Sequence, residues 1–99
     1  MITYEVTAVV GEGLRARYEV FMRERHVPDV LATGLFVGAT FMRADDGRFR
    51  TRYEFADRSA LERYLAPHAP RLLADFAAHF PEGVELERDV WNVLTVWPH

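Results

Sequence analysis

Apolar residues along this chain recur with the spacing of strands in some segments and of helices in others. The order of these segments is compatible with few folds. Every second residue at the start is apolar, namely Ile2, Tyr4, Val6, Ala8 and Val10. This alternation predicts a half-buried strand over Ile2–Val10. A helical stretch, two further strand-like segments, a second helical stretch and a last strand follow. The predicted order is therefore β-α-β-β-α-β.

The first helical stretch has an apolar face at four positions: Leu14, Tyr18, Phe21 and Met22. A proline disfavours helical geometry in the residue before it, so Pro28 predicts that this helix ends or kinks near His26. A short helical turn over Asp29–Ala32 and a C-capping Gly34 are expected next.

Two further strands are predicted over Leu35–Arg43 and Arg48–Phe55, joined by a turn at residues 45–47, where Asp-Gly tolerates positive φ. Ser59 and Glu62 predict a capping box for the second helical stretch. That stretch is interrupted at Pro67 and Pro70 and resumes through Leu72, Leu73, Phe76 and Phe80. The last strand is predicted over Val84–Trp97.

This order is the ferredoxin-like split βαβ arrangement, an α+β fold. It implies an antiparallel four-stranded sheet with the first and third strands central and both helical stretches on one face. A chain of 99 residues, 49% of them hydrophobic, fits one domain over residues 1–99.

Composition excludes several kinds of chemistry. The chain has no cysteine and no lysine, which removes disulfides, thiolate catalysis and Schiff-base chemistry. A net charge of −3 without a basic stripe argues against a nucleic-acid partner. With no apolar run long enough for a membrane span and no signal peptide, the expected location is cytoplasmic. Histidine spacings typical of metal sites are missing, so neither metal nor cofactor is predicted.

The open face of the predicted sheet has a polar centre and apolar edges. Six polar residues share this parity on the central strands: Thr3, Glu5, Thr7, Arg50, Arg52 and Glu54. The edge strands carry apolar residues on both parities, including Phe36, Met42, Trp91 and Trp97. Exposed apolar edges are unfavourable in a monomer, so the pattern predicts a homodimer whose two sheets close face to face. The alternative is a monomer with glutamate–arginine pairs on a solvated sheet.

Four segments are typical of one protein family: Ile2–Thr7, His26–Phe36, Leu61–Tyr64 and Ala69–Leu72. On these segments, with a weaker match around Arg88, the chain resembles a bacterial domain-of-unknown-function family in the dimeric α/β-barrel superfamily. The resemblance implies a ferredoxin-like protomer and a dimeric barrel. The superfamily includes cofactor-free monooxygenases, haem-degrading enzymes, decarboxylases and isomerases, so the resemblance leaves the reaction open.

His26 is the candidate catalytic acid–base residue, because an imidazole with an ordinary pKa of about 6.5 titrates near neutral pH. Asp29 lies one turn further on and is predicted to hold one ring nitrogen. The alternative is structural: His26 interacts with the negative end of the first helix, and Asp29 caps the turn after Pro28.

Arg50 and Arg52 are candidate ligand-binding residues, together with Glu5 and Glu54 on the same face. Two guanidinium groups suit a carboxylate or phosphate ligand through bidentate hydrogen bonds. The alternative is internal charge compensation by the two glutamates.

Two functions fit these observations. The first is a homodimeric small-molecule-binding protein that acts as a cofactor-free enzyme through His26, monooxygenase- or isomerase-like by analogy of fold. The second is a non-catalytic ligand-binding or regulatory module for an organic anion. Tyr4, Tyr53 and Tyr64 have the spacing of core aromatics and are predicted to be core. The alternative is that they donate hydrogen bonds into a pocket.

Overall fold

The computed structural model describes residues 1–98. Its elements are β1 (Ile2–Val10), a 3-10 turn (Glu12–Leu14), α1 (Arg15–Phe21), a π-helical segment (Met22–His26), α2 (Val27–Leu31), β2 (Gly38–Arg43), β3 (Phe49–Phe55), α3 (Arg58–Leu65), α4 (Ala69–His79) and β4 (Val84–Asn92). No helix within this part of the chain is long and apolar enough to cross a membrane.

The four strands form one antiparallel sheet in the order β2-β3-β1-β4. β1 and β3 are central, and their register runs from Ile2 opposite Phe55 to Ala8 opposite Phe49. The predicted α+β ferredoxin-like fold is confirmed. The predicted turn at residues 45–47 is also present, with Gly47 at φ +92°.

The helices cover one face of the sheet and leave the other open. Two apolar clusters join the inward parity of the strands to the helices. One is centred on Tyr4, Tyr53, Phe55, Leu61, Tyr64 and Leu72, and the other on Ala8, Tyr18, Phe21, Phe49, Phe76 and Phe80. The opposite parity of β1 and β3 carries the polar residues, as the alternation predicts.

Pro28 predicted that the first helix ends or kinks near His26. The helix does not end there, but its regular α-helical geometry is interrupted by a π turn over Met22–His26. Helical geometry continues to Leu31 through a π turn, in which the backbone N–H of Val27 donates to the carbonyl of Met22. Proline in a regular helix loses a hydrogen bond and its ring clashes with a preceding carbonyl. The wider π turn just before Pro28 gives that ring room. Gly34 follows in the left-handed conformation, φ +77°, as predicted.

Both edge strands are shorter than predicted. β2 begins at Gly38, because Phe36 turns into the core and lies 4.3 Å from Phe55 between ring centroids. β4 ends at Asn92, which pairs with Ile2, and a last hydrogen bond joins Val93 to the carbonyl of Met1. Beyond that point β1 offers no further backbone for a ladder.

The second helical stretch begins at a different cap from the predicted one. Asp57 is the N-cap residue: its backbone is extended, and its Oδ1 accepts a hydrogen bond from the N–H of Ala60 at 2.9 Å. Ser59 is already inside α3, so it forms no capping box with Glu62. The interruption at Pro67 is confirmed, whereas Pro70 lies in the first turn of α4, where proline is well tolerated.

Candidate functional site

A small cavity of about 30 Å³ lies between the sheet and the helices. Its polar lining comes from β1, β3, β4, α3 and the π segment: Tyr4, Tyr53, Tyr64, Arg88 and His26. A fourth tyrosine, Tyr18, also lines the cavity, and the apolar lining includes Met22, Leu73, Phe76 and Leu86. A cavity of this size holds one or two water-sized molecules.

The π segment places His26 against this cavity. π turns within α-helices frequently occur at functional sites, and His26 is the last residue of this one. Its ring stacks on Phe21, with centroids 6.0 Å apart, and meets the edge of Phe76 at 5.6 Å. Apolar rings therefore surround the imidazole on two sides.

Burial governs the charge state of His26. Its Nδ1 atom is buried and has no hydrogen-bond partner among residues 1–98. Desolvation lowers the pKa of His26, and the negative charges of Asp75 and Asp29 oppose that shift more weakly. A neutral imidazole with a free nitrogen can accept a proton from a molecule in the cavity.

Asp29 does not fix the tautomer of His26. It lies exposed on α2. It was predicted to hold one ring nitrogen of His26, and Nδ1 has no hydrogen-bond partner within the described chain. Asp29 reaches His26 only through its charge. Asp75, on α4, has the larger effect and is itself held by Arg25 through two hydrogen bonds of 2.6 and 3.0 Å.

Three tyrosines form the polar wall on the other side of the cavity. The Tyr4 ring lies 6.2 Å from Tyr53 and 6.4 Å from Tyr64 between centroids. Burial raises the pKa of Tyr4 and Tyr53, and raises that of Tyr64 to about 12. All three phenols stay protonated at neutral pH and can donate hydrogen bonds. They belong to the core, as predicted, and they also line the cavity.

Arg88 supplies the positive charge of this site. It is opposite Val6 in the register of β1 and β4, which puts it on the helix-facing parity. Its charge lowers the pKa of Tyr4 and of Tyr64, against the larger effect of burial. Sequence reasoning missed this role, although a usable signal was present: Arg88 is the one charged residue in the inward series Val84, Leu86, Arg88 and Val90.

The other predicted site residues lie on the open face. Arg52 donates from Nε to Oε2 of Glu5 at 3.2 Å, and Thr3 donates to the same oxygen at 3.2 Å. Arg50 donates to Oγ1 of Thr7 at 3.1 Å and lies 4.0 Å from Glu5 as an ion pair. Internal charge compensation is thus realised at Glu5.

Glu54 takes no part in this compensation. No ion pair involves it among the residues that the structure describes. The sheet itself separates His26 from Glu5, Arg50 and Arg52, so the structure does not bring the two predicted groups into one site. Residues 1–98 contain no group of three or more His, Cys, Asp or Glu side chains that could hold a metal ion.

These observations define a ferredoxin-like α+β protein with a tyrosine-, histidine- and arginine-lined cavity under its helices. The model of the family described as a domain of unknown function (DUF4286) matches residues 1–93. The chain belongs to this family, and the predicted resemblance is confirmed. No curated protein matches its sequence.

Solved structures of bacterial proteins share the fold. SnoaB from Streptomyces nogalater, a cofactor-independent oxygenase, is 20% identical with a TM-score of 0.78, over 99% of this chain and 97% of that one. A candidate antibiotic biosynthesis monooxygenase from Deinococcus radiodurans is 16% identical with a TM-score of 0.71, over 100% and 98%. Rv0793 from Mycobacterium tuberculosis is 12% identical with a TM-score of 0.66, over 99% and 100%. At these identities the likeness shows the fold alone.

Proposed function

We propose that this protein is a homodimeric, cytoplasmic, cofactor-free enzyme that acts on a small molecule in the inner cavity, with His26 as the base. The observation that carries the proposal is the buried, unpartnered Nδ1 of His26, a residue that lines a cavity together with four tyrosines and an arginine. Buried polar atoms are normally satisfied. An exception that lines a cavity is a candidate for contact with a ligand.

The side chains suit proton removal from a carbon or hydroxyl group next to a carbonyl or aromatic ring. Neutral His26 takes the proton, and the negative charge that develops on the substrate oxygen is stabilised by the phenol of Tyr4 and the charge of Arg88. The proposed substrate class is therefore a small ketone or phenol with an acidic C–H or O–H bond.

Two outcomes of that step correspond to the two chemistries expected from the fold. In an isomerase, His26 returns the proton to a different carbon. In a monooxygenase, the substrate carbanion forms a C–O bond with dioxygen and the proton goes to the distal oxygen. Loss of water from the resulting hydroperoxide leaves a new carbonyl, so a CH2 group and O2 become C=O and H2O without an external reductant. The name of SnoaB, a cofactor-independent oxygenase, favours the second chemistry.

Substrate entry requires the cavity to widen. Its volume of about 30 Å³ is far below that of a drug-sized ligand pocket, about 300 Å³ or more. Arg88 is exposed, and Leu73 on α4 is 40% exposed, although both line the cavity. We assign the mouth to the gap between these two residues, where α4 passes the edge strand.

The experiment that tests the catalytic proposal is turnover of cyclic ketones with acidic benzylic C–H bonds, under air and under nitrogen. We expect oxygen-dependent product with wild type and a loss of at least about 100-fold in kcat for His26→Gln. His68→Gln is the matched control outside the cavity. Deuterium exchange from solvent into the substrate without oxidation would instead support the isomerase chemistry.

The homodimer is supported by apolar side chains that remain uncovered on the open face and beyond it. Trp91 is 58% exposed, Trp97 80% and Leu94 92%. Exposed apolar patches of this kind mark interfaces. Sedimentation equilibrium at micromolar concentration tests this part of the proposal: a dimer mass is expected, and a monomer mass would contradict it.

The second candidate function, a non-catalytic module for an organic anion, rests on a different cavity. About 250 Å³ on the open face is lined by four arginines, Arg43, Arg48, Arg50 and Arg52. Calorimetry with small dicarboxylates tests it. Binding that Arg50→Ala abolishes, with the compound recovered unchanged, would favour this function over the enzyme.

A further inference from the structure

The edge strand β4 carries a row of carboxylates on the open face. Glu87 is opposite Thr7 and Asp89 is opposite Glu5 in the β1–β4 register, so both share the parity of the open face. Both are exposed, and no ion pair involves either of them within residues 1–98. We call Glu87 and Asp89 the acidic row.

A basic row runs along β3 on the same face. Arg50 is opposite Thr7 and Arg52 is opposite Glu5 in the β1–β3 register. Arg50 and Glu87 therefore lie at one level along the sheet, on either side of β1, and Arg52 and Asp89 lie at the next. Two strand spacings, about 10 Å, separate the rows. Within one chain the acidic row and the basic row stay apart.

We infer that the acidic row of one copy is the docking surface for the basic row of a second copy. This inference rests on the proposed homodimer and specifies how its two sheets are placed. A two-fold axis parallel to the strands and lying over β1 sets β3 of each copy over β4 of the other. Because this rotation preserves position along the strands, Arg50 meets Glu87 of the partner subunit and Arg52 meets Asp89 of the partner subunit.

The spacing of packed sheets is compatible with these contacts. Face-to-face sheets lie about 10 Å apart, a gap that an arginine and a glutamate side chain span together. Each pair occurs twice in a two-fold dimer, so four ion pairs form. Besides Glu5 of their own chain, the arginines of the open face then meet a carboxylate of another copy of this chain.

The other in-plane two-fold axis, across the strands, is disfavoured. It would set β3 over β3 and β4 over β4, and so bring arginines against arginines and carboxylates against carboxylates. Like charges that meet in an interface are unfavourable and act against wrong pairings. Charge on this face therefore selects one orientation.

Charge reversal across the pair tests the inference. The dimer dissociation constant is measured by sedimentation for wild type, Arg50→Glu, Glu87→Arg and the double variant R50E/E87R. We expect each single variant to raise the constant by at least about tenfold and the double variant to restore it to within about threefold of wild type. Glu62→Arg, an exposed reversal on α3, is the matched control. Arg50→Ala with Glu87→Ala repeats the test as a double-variant cycle without charge reversal if Arg50→Glu fails to fold.

The outcomes separate the two proposals. Suppose that the wild type is a dimer and that the single reversals leave its dissociation constant unchanged, or that the double variant does not restore it. Either result overturns the placement of the rows and leaves the homodimer standing. A monomeric wild type removes the homodimer and this inference together. If both single variants weaken the dimer and the double variant R50E/E87R restores its dissociation constant, the result supports both the homodimer and the placement of the rows.

Discussion

Glu5 accepts a hydrogen bond from Arg52 across the central strand pair, at 3.2 Å, while only 13% of its side chain is exposed. Arg52 itself is 42% exposed. The Glu5 carboxylate therefore depends on this contact more than Arg52 does. It is largely removed from water, and the guanidinium of Arg52 replaces part of its hydration. This asymmetry decides which substitution is harmful.

We expect Arg52→Ala to lower the free energy of unfolding by about 1 kcal/mol, because it leaves the largely buried Glu5 with one charge-assisted hydrogen bond fewer. Arg58→Ala, which removes an exposed arginine at the start of α3, is expected to change it by less than about 0.5 kcal/mol. Urea unfolding at one protein concentration compares the two. Equal midpoints would show that Glu5 does not need Arg52.

The partly buried His26 predicts a specific pH dependence of stability. Its pKa is lowered in the folded state, so the unfolded chain binds a proton more readily. The contribution of His26 is constant above its unfolded pKa of about 6.5 and falls as the pH drops through 6.5 towards the folded pKa.

In the variant His26→Phe we expect the difference in stability between pH 7.5 and pH 5 to shrink, as measured by thermal or urea unfolding. His68→Gln controls for the loss of any one histidine. An unchanged pH slope in His26→Phe would mean that the imidazole is not desolvated in the native protein.

Asp75 is expected to tune His26 from the neighbouring helix. Its negative charge raises the pKa of His26 against the effect of burial. Asp75→Asn should therefore lower that pKa further, which an NMR titration of the imidazole carbon-bound protons measures without any substrate. Asp46→Asn, at the β2–β3 turn, is the matched control. A pKa that rises or stays constant in Asp75→Asn would contradict the assignment.

The cap of α3 predicts a contrast between two neighbouring positions. Asp57→Ala removes the hydrogen bond from Oδ1 to the N–H of Ala60 and should cost about 1 kcal/mol of stability. Ser59→Ala, inside the helix, should change stability by less than about 0.5 kcal/mol. The midpoints of thermal unfolding distinguish the two variants. A larger loss of stability in Ser59→Ala than in Asp57→Ala would support the predicted capping box instead.

Most of the fold was predictable because alternation along a strand reports burial directly. The parities of β1 and β3 follow from residues such as Tyr4 and Glu5, and the turn at Gly47 follows from its need for positive φ. The errors have local physical causes. Ser59 and Glu62 fit the capping pattern, but α3 begins before Ser59, and Asp57 is the residue that accepts the hydrogen bond from the first turn. Pro28 is compatible with a helix once a π turn precedes it.

The site was less predictable, because it depends on which residues the fold brings together. His26 was proposed from its chemistry, and the fold places it at the cavity. Asp29 was proposed to hold one of its ring nitrogens, and no hydrogen bond joins it to Nδ1. Arg88 was not assigned a role because that role depends on which face of the sheet it occupies. The face is known only once the register between β4 and β1 is known. The sequence places Arg50 and Arg52 on the polar face, and only the fold shows that this face is not the one His26 occupies.

The chain carries its two tryptophans at Trp91 and Trp97, outside both apolar clusters and largely exposed. Indole emission in this protein therefore responds to what covers the end of β4 and the segment after it, and only weakly to packing of the tyrosine-rich interior. For the proposed homodimer, dilution through the range of dissociation should shift that emission to the red while circular dichroism stays constant. The molecule thus contains its own optical reporter of association, separate from any signal of folding.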